Sequence, residues 1–204
     1  MRRDLINSAL AIVVVTIVLG IAYPLVTTGV SQVLFGDQAD GSKVEVDGEV
    51  VGSSLIAQPF KREAERGPGL ERDPAYFQPR PSITGYSPNV TYFNNLGPNN
   101  LTLSRYFANK AEAYLAREGE FTPGLELADV PVDAVATSAS GVDPHISEAN
   151  AEIQANRVAE ERGLELDTVL GLIDEHTDGR ALGVLGEPGV NVLELNIALD
   201  EEGS

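Results

Sequence analysis

The chain has 204 residues, 43% of them hydrophobic, enough for a sizeable core, which excludes a purely disordered tail. Its 31 acidic residues stand against 14 Lys plus Arg, a net charge of -17, and a surface that acidic does not grip nucleic acid phosphates. With no cysteine, disulfides, thiolate nucleophiles and cysteine-based zinc or iron-sulfur sites are also excluded.

No residue between Leu5 and Gly36 is charged; all acidic residues except Asp4 come later. Leu5 to Val26 is apolar apart from small or mildly polar residues, and about 20 residues suffice to carry a helix across a hydrocarbon core. Pro24 lies near the far end, where a local break costs least, and Tyr23 falls where an interfacial aromatic is expected. A secretory signal would have a shorter apolar run and a small-x-small cleavage site, whereas Thr27 to Gln32 offers no Ala-x-Ala; the segment reads as an uncleaved anchor. The core helix of a soluble protein would carry a polar stripe, and Asn7, Ser8 and Thr16 are too few to make one. Arg2 and Arg3 flank one end and acidic sequence the other, so the N-terminus is expected in the cytoplasm. The chain thus divides into an anchor, residues 1–36, and an extracytoplasmic soluble domain, residues 37–204, single-pass in the cell (inner) membrane.

After a Gly-rich acidic linker, Val44, Val46 and Val50 alternate as in a short strand. Prolines 59, 68, 74, 79, 81, 88 and 98, with glycines among them, exclude long helices up to Asn100. Leu103, Phe107, Lys110, Ala111 and Tyr114 trace one helical face from Leu101 to Arg117, which Gly119 closes. Val130 to Val135 reads as a strand. Asp143 followed by Pro144 reads as an N-cap and first turn, opening a helix through Ile146, Ala149, Ile153 and Arg157 to Gly163. A shorter helix is expected from Asp167 to His176, and a mostly alternating strand from Val190 to Leu199. The expected fold is mixed α/β: one N-terminal transmembrane helix followed by a single extracytoplasmic α/β domain.

Within this frame, Ser138, Ser140, Asp143 and His145 gather the residue types of a hydrolase triad, but no Gly-x-Ser-x-Gly elbow exists and a triad is a matter of geometry. His145 and His176 form no His-x-x-x-His or His-Glu-x-x-His pair, and each reads as a polar partner near a helix end. Gly183 to Gly189 lacks the Gly-Lys-Ser/Thr end of a phosphate loop. The sequons at Asn89 and Asn100 read as turn asparagines. The acidity itself admits a solvated surface, a saline habitat or a field that concentrates cations.

Several ordered motifs remain: Gly52-Ser53-Ser54-Leu55-Ile56-Ala57-Gln58, Tyr76-Phe77-Gln78-Pro79-Arg80-Pro81-Ser82 and Asn95-Leu96-Gly97-Pro98-Asn99-Asn100. Ser140-Gly141-Val142-Asp143-Pro144-His145-Ile146-Ser147, Gln154 and Arg157-Val158-Ala159 follow. His176-Thr177, Gly179-Arg180, Gly186-Glu187-Pro188 and Val190-Asn191-Val192-Leu193 with Leu195-Asn196 come last. Through these, nearly the whole chain resembles the KdpC family, one of the subunit families of the Kdp-type potassium-transporting ATPases. It departs from that pattern at Thr91-Tyr92-Phe93-Asn94, where the family has a Ser/Gly-rich segment, and at Ala139, where glycine is common.

The resemblance implies a non-catalytic subunit with no cofactor of its own, ATP and K+ being handled by the complex. Its implied partners are a P-type ATPase catalytic subunit, a channel-like potassium-binding subunit and a small membrane peptide; its implied role is that of a catalytic chaperone raising the ATPase subunit's ATP affinity. The matched motifs nominate Arg80, Ser82, Asn95, Asp143, His145, Gln154 and Arg157 as structural or docking residues. The competing readings are an anchored extracellular ligand-binding or sensor domain, and an anchored hydrolase using Ser140, Asp143 or His145.

Overall fold

A computed structural model describes residues 1–64, 68–90, 92 and 95–203, and the chain forms two compact units, Met1–Val51 and Gly52–Ser204. Thr91, Phe93 and Asn94, where the sequence departs from the family pattern, lie outside the described residues.

In the first unit α1 (Arg2–Ile17), a π turn (Val18–Ala22) and α2 (Tyr23–Leu34) run on as one 33-residue helix, Arg2–Leu34, with no buried residue. At 1.5 Å per residue this is about 50 Å, more than the roughly 30 Å of a hydrocarbon core. The π turn ends two residues before Pro24 and contains Gly20, whose carbonyl, four residues back, the proline ring would crowd; widening the turn relieves that clash. A single turn, α3 (Gly36–Ala39), leads to the hairpin of β1 (Lys43–Val46) and β2 (Glu49–Ser53). Asp47 and Gly48 between these strands have φ of 54° and 81°, the left-handed pair that tight hairpin turns need.

The second unit opens with an antiparallel pair, β3 (Lys61–Glu63) and β4 (Leu70–Arg72), in register Lys61 to Arg72. Among the described residues no long helix forms in the proline-rich stretch, and α4 (Leu101–Glu118) starts where periodicity resumes, with the Asn100 side chain accepting from the Thr102 amide at 2.8 Å. The expected strand at Val130–Val135 is instead a helical turn, α5 (Val132–Val135), entered through Pro131, which pre-sets φ and has no amide to contribute to a ladder.

Two further expectations are corrected. Asp143 does not cap the long helix: its Oδ1 accepts the His145 amide at 3.0 Å in a local turn, His145–Ile146 form β5, and α6 (Glu148–Arg162) starts at the true cap, Ser147, whose Oγ accepts the Asn150 amide. Gly163 then ends α6 at φ 66°, a left-handed stop. α7 (Leu166–Glu175) and β6 (Thr177–Asp178) follow. The expected strand at 190–199 is strand only in β7 (Gly189–Asn191); from Val192 to Glu202 it is α8, capped by the Asn191 side chain on the Leu193 and Glu194 amides.

β7 is the centre of an antiparallel sheet, β5-β7-β6, with His145 opposite Asn191 and Asp178 opposite Gly189. Ile146 and Val190 of this sheet pack with Val158, Val169, Ile173, Leu195 and Leu199 of α6, α7 and α8, and with Phe77 from the proline-rich stretch, in one apolar core. The unit is a mixed α/β domain whose sheet is small, so helices supply most of the burial.

Candidate functional site

The turn Ser138–Gly141 is set by Ser138, whose Oγ accepts the Gly141 amide at 2.9 Å, and Gly141 lies at φ 74°. A side chain there would press against Thr84, since a Cβ would lie 2.9 Å from its Oγ1. Ser82 uses this close approach: its Oγ donates to the Gly141 carbonyl at 2.6 Å and accepts the Tyr86 amide at 2.9 Å, joining the Pro79–Ser82 segment to the loop before β5.

That junction places a chain of charged groups in one cleft of about 520 Å³, lined by Arg80, Asp133, Asp143, His145, Asp178 and Glu187 among others. Arg80 donates from Nη1 to Asp143 Oδ2 at 3.0 Å. Asp143 Oδ1 stands 3.7 Å from His145 Nδ1, and His145 Nε2 is 3.1 Å from Asp178 Oδ2 on the far strand. The imidazole can cross from β5 towards β6 because Gly189 lies beneath it; a Cβ on Gly189 would come within 3.2 Å of the His145 Cβ. Asp143 raises the His145 pKa, partial burial works against it and Asp178 reinforces it, leaving the group above its ordinary value. Partial burial pushes the Asp143 carboxyl up, but hydrogen bonds from His145 and the Arg80 charge outweigh this and hold it below the usual carboxylate range.

Gln154 and Arg157 lie instead in the interior, where they satisfy the backbone of the segment from Pro74 to Gln78. Gln154 Oε1 accepts from the Gln78 amide at 2.8 Å and from Arg157 Nη2 at 3.0 Å, while its Nε2 donates to Asn150 Oδ1 at 3.0 Å. Arg157 donates to the carbonyls of Pro74 and Tyr76 and pairs through Nε with Glu118 Oε2 at 3.1 Å; the two side chains are 1% and 0% exposed. Asn196 clamps Phe77 on both its amide and its carbonyl, and Tyr114 donates to Asn150. Burial, chiefly, raises the Tyr114 pKa above its usual value. An irregular segment without sheet partners must find other bonds for its buried peptide groups, and these side chains provide them.

The seven nominated residues therefore separate: Arg80, Asp143 and His145 meet in the cleft with Ser82 beside them, and Gln154 and Arg157 meet in the core. Asn95, at φ 46°, lines a different hollow of about 580 Å³ with Leu96, Leu103, Tyr106 and Phe107. Sequence reasoning missed Asp133, which accepts from Ser147 and Asn150, as well as Asp178 and Glu118. One signal was available: Asn150, Gln154 and Arg157 recur at i, i+4 and i+7, a polar row on one face of a helix. For the serines of the rejected triad, the Ser138 and Ser140 hydroxyls accept the Gly141 and Val142 amides, and His145 points to Asp178.

Residues 5–201 match the family model described as KdpC, the c chain of K+-transporting ATPase. The chain belongs to that family. It is 46% identical over 203 residues to a potassium-transporting ATPase KdpC subunit from Rhodospirillum rubrum, covering 98% of this chain and 97% of that one. The corresponding subunit of Mycobacterium bovis is 46% identical over 202 residues, 98% and 99% of the two chains, and that of Koribacter versatilis 44%, 98% and 95%. Membership makes this a membrane-associated accessory subunit of a potassium-transporting ATPase, which implies partner subunits, and the exposed apolar helix Arg2–Leu34 suits such a protein.

Proposed function

We propose that this chain is the non-catalytic subunit of an ATP-driven potassium importer, held in the cell membrane by its N-terminal helix with the following domain outside. The observation that carries this reading is family membership over residues 5–201 in a chain whose N-terminal helix is uncharged from Leu5 onward and has no buried residue. In this arrangement a P-type ATPase subunit hydrolyses ATP, a channel-like subunit selects potassium and a small membrane peptide completes the assembly. This chain stabilises the assembly and, as a catalytic chaperone, raises the ATP affinity of the ATPase subunit. It binds no cofactor alone. About 30 Å of hydrocarbon separates an external domain from cytoplasmic nucleotide, so the effect is indirect: the accessory chain binds one pump conformation more tightly than the other, and linkage returns that preference as ATP affinity.

The test is potassium-stimulated ATP hydrolysis by the purified complex, titrated with ATP in the presence and absence of this chain. Without it the KM for ATP is expected to rise roughly five- to 150-fold, the usual span of coupling between sites. Superimposable titrations would remove the chaperone role, and hydrolysis by the isolated chain would remove the non-catalytic one.

A further inference from the structure

The loop that joins β6 to β7 is fixed at its base. Every residue from Gly179 to Glu187 is exposed, so burial does not anchor it. Its described hydrogen bonds, and the ion pair of Arg180 with Glu187, are internal to the loop. Ala181 and Leu185 exchange backbone hydrogen bonds of 2.8 and 2.9 Å, which closes the tip into a small unit of its own. The ladder beneath is two residue pairs long, Thr177 with Val190 and Asp178 with Gly189. His145, reaching over from β5, brackets the second pair: Nε2 is 3.1 Å from Asp178 Oδ2, and the ring lies against Gly189. Through Glu187 and Pro188 the same loop forms one wall of the charged cleft, with Val132 and Asp133 of α5 on another.

The ring stands between two carboxylates, Asp178 and Asp143. A neutral imidazole has one N–H and one lone pair, so either tautomer turns a lone pair towards one of those carboxylates, whereas the imidazolium presents an N–H to both. Around them stand Arg80, bonded to Asp143, then Asp133, and Glu187 with its partner Arg180, so that carboxylates outnumber guanidiniums. We propose that His145 is a proton-operated clasp on the β6–β7 loop: as the imidazolium it holds Asp178 and keeps the loop closed along the cleft, and as the neutral ring it frees the base and lets the loop swing out. An opening of this kind breaks one ladder pair and uncovers no core residue, which makes it a local event rather than unfolding of the domain. In the open loop the ring titrates near its usual ~6.5. In the closed one Asp143, against partial burial, and then Asp178 raise that value. The closed-to-open ratio is therefore constant below about 6.5 and falls, by up to ~tenfold per pH unit, as pH climbs through the closed-state value.

The chain has no cysteine, so spin labels on Leu182→Cys and Val132→Cys, both exposed, report the width of the cleft in the full-length protein in detergent. Distances are measured by pulsed dipolar spectroscopy between pH ~5.5 and ~8.5. One narrow distance is expected at the acid end and a second, broader population towards the alkaline end. His145→Gln has no proton to lose and is expected to show the broad population at every pH. Asp178→Asn removes one of the two carboxylates and is expected to move the transition down towards the ordinary histidine value. His176→Gln, at the other histidine, is expected to leave the transition in place. A distance distribution that ignores pH in the parent, a transition that survives in His145→Gln, or one that keeps its midpoint in Asp178→Asn would overturn the clasp. The two variants act on opposite partners, so if one fails to fold the other decides.

Discussion

At the scale of single residues, His145 has a measurable pH signature. Its ring lies between Asp143 and Asp178, with Arg80 bonded to the far side of Asp143 and Glu187 across the cleft. The folded-state pKa lies above the usual ~6.5, so the proton binds the native state more tightly than the unfolded chain. The resulting stabilisation is complete below about 6.5 and is lost as pH rises through the elevated native value. Asp143 has the opposite sign: its depressed pKa stabilises above the unfolded value near ~3.9 and fails as acid protonates it. Urea unfolding between pH ~6 and ~8 should therefore show the parent losing midpoint with rising pH, and His145→Gln should flatten that slope. Parallel slopes for the two proteins would mean that the ring does not titrate differently on folding.

At the scale of elements, the ion pair between Arg157 of α6 and Glu118 at the end of α4 joins two helices and carries the backbone of Pro74 and Tyr76 with it. Removing Arg157 leaves Glu118 buried with Arg117, whose Nε lies 2.5 Å from Oε1, as its remaining cationic partner, and leaves the Pro74 and Tyr76 carbonyls without the bonds Arg157 donates. Arg157→Ala is thus expected to cost ~3–5 kcal/mol, read from the chemical denaturation midpoint, whereas an effect below about 1 kcal/mol would mean that Arg117 alone compensates Glu118 and that water serves the freed carbonyls. The sequence announced α4 and α7 almost to their ends, because periodicity ran up to a following glycine, Gly119 in one case and Gly179 in the other. It misled over 190–199 because valines and leucines read as alternation. Val192, Leu195, Asn196 and Leu199 also recur at i, i+3, i+4 and i+7, and Asn191 with Glu194 three residues later is the start signal that decides for helix. Asp143 misled for another reason. Aspartate before proline satisfies a turn as well as a cap, and only the pairing of β5 with β7 shows which of the two it serves. The cleft was legible in part: Arg80, Asp143 and His145 belong to recognisable motifs, but Asp178 reaches His145 only through a sheet whose strand order has no local signature.

At the scale of the whole molecule, the proposed topology rests on the distribution of charge. Arg2 and Arg3 precede an uncharged run to Gly36, and almost all the acid follows, an asymmetry that in the proposed orientation keeps the N-terminus inside and lets the rest cross. Acidic residues weigh little in that rule, so the orientation depends on two arginines and the free amino terminus. Trypsin added to intact spheroplasts checks it, because Lys43, Lys61 and Arg105 are exposed after the span while the arginines before it would be shielded by the bilayer. An epitope at the C-terminus should disappear, and one at the N-terminus should survive on a short membrane-bound fragment. Moving positive charge from the N-terminus to the 37–42 segment should weaken this pattern, since the bias that sets it would then be divided between the two ends. Full protection of the C-terminal epitope in intact spheroplasts, with loss only after lysis, would place the domain in the cytoplasm and open direct contact with nucleotide that the external arrangement forbids.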